Sequence, residues 1–109
     1  MTPAMGATVD VRAGAVYLSA AVVERYFPGI DAVIVLIREG GLQVLPVHRM
    51  AAGGCLLKVR NAAGDRVATA PDVFHANGLG DWAAEGLAAR WSAHHGALVV
   101  DLPSAETAN

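Results

Sequence analysis

Sulfur chemistry has little to work with in this chain. A single cysteine, Cys55, occurs among 109 residues, so no internal disulfide can form. Lysine is equally scarce, with Lys58 alone, and the formal charge of -2 excludes a surface coated in phosphate-binding cations while leaving room for a local basic patch. Charged residues amount to 17% against 54% apolar ones, a balance unlike that of disordered chains. The longest apolar run, Ala32 to Ile37, is far short of the roughly 20 residues that cross a bilayer as a helix. Thr2 to Arg12 lacks the basic start and continuous apolar stretch of a secretion signal, which makes a cytoplasmic protein with no membrane association the expectation. Catalytic signatures are missing too: no Gly-x-Ser-x-Gly elbow, no phosphate loop, no dinucleotide fingerprint and no suggestive carboxylate pair. We therefore expect a protein without enzymatic activity or cofactor.

What is present leans toward sheet. Of the apolar residues, 22 are alanine, and valine (14) and leucine (10) dominate the larger ones, a usage suited to packed strands. Val9 and Val11 alternate with Asp10 and Arg12, Ala13-Gly14 offers a tight turn, and Val16 and Leu18 alternate with Tyr17, which predicts a hairpin. Ser19 is placed to cap a helix whose apolar stripe is Val22, Val23, Tyr26 and Phe27, and Pro28-Gly29 stops it. Ala32 to Ile37 and Leu42 to Val47 flank a glycine-containing turn as a second hairpin, with Pro46 expected at a sheet edge or strand end. Beyond the connector Met50 to Gly54 the order starts again. Strands are predicted over Cys55 to Arg60 and Arg66 to Ala70, a helix from Pro71 through Val73 and Phe74 to Asn77-Gly78, and a last hairpin over Leu87 to Ser92 and Ala97 to Leu102. The ends, residues 1–7 and 104–109, are expected to be mobile.

Val16, Val22 and Val23 meet Val67, Val73 and Phe74 at a constant offset of 51, and Leu45-Pro46 meets Leu102-Pro103 at 57. The difference is placed in an insertion over Leu79 to Gly86, where added length costs little. The fold class expected is mainly β: one domain, an internally duplicated ββαββ small barrel with two short helices, its halves at about 9–47 and 57–102.

The string from Gly14 to Ser19, the helix Ala20 to Phe27 and the hairpin Ala32 to Val47 resemble the repeat of swapped-hairpin barrels of the AbrB and MraZ transcription-factor type, over about a third of the chain. That resemblance implies a barrel of interleaved hairpins and a DNA-binding regulator, reading DNA here through Lys58, Arg60, Arg66, Arg12 and Arg25. The helix carries Glu24-Arg25 side by side in place of the family's acidic-then-arginine pattern, so the likeness is to the barrel more than to its DNA contacts.

Candidate chemistry centres on Leu56 to Arg66. Lys58 and Arg60, two apart on a strand, leave one face, Arg66 starts the returning strand, and Asn61 and Gly64 lie in the loop between them. Such a cationic hairpin suits a carboxylate or phosphate, or else is a solvated face neutralised by Asp65. The four histidines lack the spacing of a metal site: His94-His95 sit in a turn with side chains expected to diverge. Trp91 is expected to face the core, while Trp82 covers a barrel end or meets a partner. Residues 1–60 hold six cations and four acids (+2) and 61–109 hold two and six (-4). With the high apolar content, this points to a homodimer and a protein partner. The preferred reading is a binding or accessory protein using Lys58, Arg60, Asn61, Arg66 and Trp82; the alternative is the DNA-binding regulator.

Overall fold

The computed structural model describes residues 7–38, 40–48 and 54–102. Eight strands form a closed antiparallel barrel: β1 (Ala7–Arg12), β2 (Ala15–Leu18), β3 (Ala32–Arg38), β4 (Gly41–Val47), β5 (Gly54–Val59), β6 (Arg66–Thr69), β7 (Ala83–Ser92) and β8 (Ala97–Asp101). Helix α1 (Ala20–Tyr26) joins β2 to β3, and α2 (Pro71–Ala76) joins β6 to β7. Around the barrel the order is β1-β2-β6-β5-β3-β4-β8-β7. Eight strands leave an interior that side chains can fill. Inward positions alternate along each strand: Val9 and Val11, Val16 and Leu18, Val33 and Val35, Leu42 and Val44, Leu98 and Val100 are all buried.

Because β2 and β6 pair antiparallel, their carboxyl ends, and hence the two helices, lie at opposite ends of the barrel. Each helix supplies a fully buried phenylalanine, Phe27 at the C-cap of α1 and Phe74 within α2. Helix α1 starts where expected, the Ser19 hydroxyl accepting from Val22 N at 3.2 Å. Helix α2 has no side-chain cap but begins with Pro71, whose missing N–H would have been an orphan there. The Ala13-Gly14 turn packs on it, with Ala70 N donating to the Gly14 carbonyl at 2.9 Å.

Exchanging β1 with β5, β2 with β6, β3 with β7 and β4 with β8 returns the same eight strand pairs. Hairpins of the two halves are therefore interleaved. The register corrects the expected offsets, however. Residues opposite one another share a face, and Val16 sits opposite Ala68 while Tyr17 sits opposite Val67. An offset of 51 thus carries inward Val16 onto outward Val67. Likewise 57 carries inward Leu42 onto Val99, which lies opposite outward Gln43. A shift of one residue flips every side chain, so neither expected offset matches inward residues with inward ones.

Two local readings also change, and that of Pro46 holds. The segment expected as an inserted loop is half strand, since Ala83 and Ala84 pair with Arg12 and Val11, and a register irregularity follows before Val9 meets Leu87. Asp10 Oδ1 accepts from Gly86 N at 2.9 Å there, where Gly86 has φ +67, so side chain and glycine together hold the bulge. Trp91 does share the face of Leu98, yet it lies near a strand end, is 37% exposed and stacks on Tyr26 with centroids 5.7 Å apart. Pro46 pairs with Val33, beyond the β4–β8 ladder, which ends at Val44, so no second strand asks for its absent N–H. Most of the connector before β5 and the two tails lie outside the described residues, though Ala7 begins β1.

Candidate binding surface

One barrel wall is built from β1, β2, β6 and β5, and an outward row crosses it: Asp10, Tyr17, Val67, Lys58. Tyr17 is its centre. The Arg12 guanidinium lies 4.3 Å from the Tyr17 ring centroid and that of Arg60 4.7 Å, both within reach of the ring's negative face. Arg12 and Tyr17 flank the two-residue turn of their own hairpin, while Arg60 arrives from the far hairpin. Lys58 is exposed on the same face, two strand spacings or about 10 Å from Tyr17. Tyr17, Ser19, Arg60 and Asp65 line a cleft of about 150 Å³.

The loop that follows β5 is exposed and tied together by its own hydrogen bonds. Asn61 Nδ2 donates to Asp65 Oδ2 at 3.0 Å and Asn61 Oδ1 accepts from Asp65 N at 3.2 Å. Gly64 N donates to the Asn61 carbonyl and Arg60 N to that of Asp65. Asp65 Oδ1 meanwhile accepts from Ala20 N, in the first turn of α1. The Asn61 hydrogen bond, then that of Ala20, then the Arg60 charge hold the Asp65 carboxyl below its ordinary range. Asn61 thus shapes the loop.

Arg66 leaves the expected cluster. It lies opposite Val59, one residue from outward Val67, so its side chain departs on the other face from Lys58. Its Nη1 donates to the Leu57 carbonyl at 3.0 Å and sits 3.7 Å from Asp31 Oδ1. The cations that converge are therefore Arg12 and Arg60 with Lys58 beside them. Arg12 also faces Glu85 at 3.8 Å, an exposed contact that contributes little.

Trp82 belongs to another place. It is half-buried against the core and lines a broad cleft of about 820 Å³ beside α2 with Asp72, His75 and Asp81. His94 and His95 do not diverge: their rings meet edge to face at 4.9 Å, and His95 Nδ1 lies 2.9 Å from Ser92 Oγ. Among the described residues no three His, Cys, Asp or Glu side chains come together as metal ligands. Cys55 is half-buried on the face of Val33, and burial pushes its thiol pKa up, away from the reactive thiolate. No described helix is long and apolar enough to cross a membrane.

Tyr17 was missed as a site residue. Its signal was available: an outward aromatic in a strand, with an arginine across a two-residue turn. No family model, curated protein or solved structure matches the chain.

Proposed function

We propose that this chain is a non-catalytic binding or accessory protein of the cytoplasm, which engages an acidic segment of a partner protein through the wall around Tyr17. The observation that carries this reading is the meeting of Arg12 and Arg60, from two hairpins, over one tyrosine ring. An arginine laid against an aromatic face keeps its planar fork available at the edges for carboxylate oxygens. Lys58 adds a point charge for the next residue of an extended acidic segment. Arg66 and Asn61 serve this surface only indirectly, and Trp82 lies outside it.

A second reading, a DNA-binding regulator of the swapped-hairpin type, draws on the interleaved hairpins and on a pairing pattern that treats the halves as two copies of one ββαββ unit. The wall favours the first. Its three cations stand among Asp10, Glu85 and Asp65, so the wall offers a local site between the arginines, sized for a short charged segment, and not the extended basic track that neutralises a run of duplex phosphates. The test is fluorescence anisotropy with a labelled acidic peptide and with duplex DNA, each at low and physiological salt. Saturable peptide binding that disappears in Lys58→Ala/Arg60→Ala is the expected result. DNA binding with a steep salt dependence and no peptide binding would transfer the function to the second reading, and binding of neither probe would overturn both.

A further inference from the structure

The opposite wall has a different character. Its outward positions on β3 are Ala32, Ile34 and Leu36, and on β4 Gln43, Leu45 and Val47; Ala32 is buried within the chain and the other five are half-buried. Leu56 of β5, 52% exposed, lies opposite Ala32, and Val99 of β8, itself buried, lies opposite Gln43. Among the described residues this wall carries no charge between Asp31 and Arg38. An antiparallel sheet with one wet face normally alternates apolar and polar residues, whereas strands apolar on both faces are those covered on both. The β1 wall obeys the alternation with Thr8, Asp10 and Arg12.

Along the same row, the far strand of the second half is built for water. The row Leu36, Gln43, Val99, Arg90 runs straight across β3, β4, β8 and β7. Leu36 stands at one end of that row and Arg90 at the other. Leu45 and Asp101 each stand two residues beyond the row's middle pair, on β4 and β8. Arg90 and Asp101 form an exposed ion pair at 3.4 Å, where the first half has two leucines. The apolar character belongs to one half's surface and is not demanded by the barrel.

We propose that this wall is the interface of a twofold homodimer, with β3 of one copy antiparallel over β3 of the other. A neutral patch is self-complementary at its centre, since two copies bring no like charges together there. The rims select the direction. Asp31 precedes β3 and Arg38 ends it, about 23 Å apart at the usual rise. A twofold axis in the interface plane and across the strands reverses the second β3, so Arg38 of each copy falls over Asp31 of the other. Parallel packing would set Arg38 on Arg38. Asp31 remains accessible for this, its side chain being 89% exposed despite the Arg66 contact. Four strands by seven residues give roughly 400 Å² of flat wall per copy, about 800 Å² in all, less than a stable specific interface buries, so the dimer is a weak and transient one that forms only at high concentration. This goes beyond the Tyr17 reading and does not depend on it.

The test is sedimentation equilibrium across a concentration series. The wild-type chain is expected to approach twice its monomer mass as concentration rises. Leu36→Arg/Leu45→Asp, which copies the natural Arg90–Asp101 arrangement, should stay monomeric with an unchanged circular dichroism spectrum. Should that variant fail to fold, the rims decide: Arg38→Glu should weaken dimerisation by about tenfold, and adding Asp31→Lys should restore it. A wild-type chain that stays monomeric through its highest soluble concentration overturns the proposal and leaves the wall to a different protein. A dimer indifferent both to the leucine pair and to Arg38 overturns it as well.

Discussion

The backbone N–H of Ala20 donates to Asp65 Oδ1 at 2.8 Å, joining residues 45 apart in sequence. A loop from the second half thereby caps the helix of the first, beside the Ser19 hydroxyl that caps Val22. Capping normally comes from the residue just before the helix; here two oxygens share the first turn's orphan donors. The same aspartate receives Arg60 N through its carbonyl, so helix capping and the placing of Arg60 over Tyr17 are mechanically one feature.

Asp65 makes stability depend on pH in a stated direction. Its folded pKa is lowered, chiefly by Asn61 and Ala20, so the contribution is fully present above the ordinary carboxylate pKa of about 3.9. It is lost as pH falls through the lower folded value. The melting temperature of wild type should therefore exceed that of Asp65→Asn at neutral pH, and the gap should close in acid below about pH 4. A gap that stays constant from neutral to strongly acid pH would show that the charge of Asp65 plays no part.

The Ala13-Gly14 turn is a site for stabilisation and for damage. Ala13 holds φ +48 and Gly14 φ +79, the paired positive angles that favour Asn-Gly in two-residue hairpins. Ala13→Asn is expected to raise stability by up to about 1 kcal/mol, because asparagine tolerates that region better than alanine. Gly14→Ala should lower it by more than about 1 kcal/mol, since its Cβ would lie 2.9 Å from Pro71 Cα as well as suffer the positive φ. Urea denaturation of both variants checks the opposed signs.

Phe74 sits fully buried at the α2 end of the barrel. Phe74→Ala should cost about 3–5 kcal/mol and Phe74→Leu much less, as the cavity left by leucine is smaller. Domains of this size hold about 5–15 kcal/mol in total, so the alanine variant should be partly unfolded at physiological temperature. Equal losses for the two variants would mean that the end of the barrel collapses around the gap.

Element order was legible because period-two valines and glycine turns leave little choice for hairpins such as Val9 to Leu18, and because Ser19 and Pro71 are strong helix starts. What escaped was register. Lys58, Arg60 and Arg66 are close in sequence, yet which face Arg66 takes depends on its pairing with Val59 across a loop whose length alone does not fix parity. The same parity undoes both offsets of the expected duplication. Ala83 and Ala84 gave no strand signal because alanine has little preference for strands, and β1 supplies the pairing from far away. Asp65, read as a neutraliser of neighbouring cations, turned out to be bound to a helix in the other half, a contact that no local pattern announces.

Tyr17 provides the most direct test of the cationic wall, because its ring and hydroxyl can be separated. The arginines lie over the ring at 4.3 and 4.7 Å, and each such contact at an exposed site is worth about 0.5–1 kcal/mol. Tyr17→Phe retains the ring, so affinity for an acidic peptide should stay within about twofold of wild type. Tyr17→Leu frees both guanidinium groups, whose rotamer freedom must then be lost on binding, and affinity should fall about five- to tenfold. Neither variant should alter the fold, since the half-buried side chain points away from the barrel interior. If leucine binds the peptide as well as phenylalanine does, the arginines act as independent charges and Tyr17 does not organise them. If Tyr17→Phe alone loses binding, the hydroxyl is itself a contact, and the peptide lies lower on the wall, toward Ser19 and the cleft it lines with Arg60.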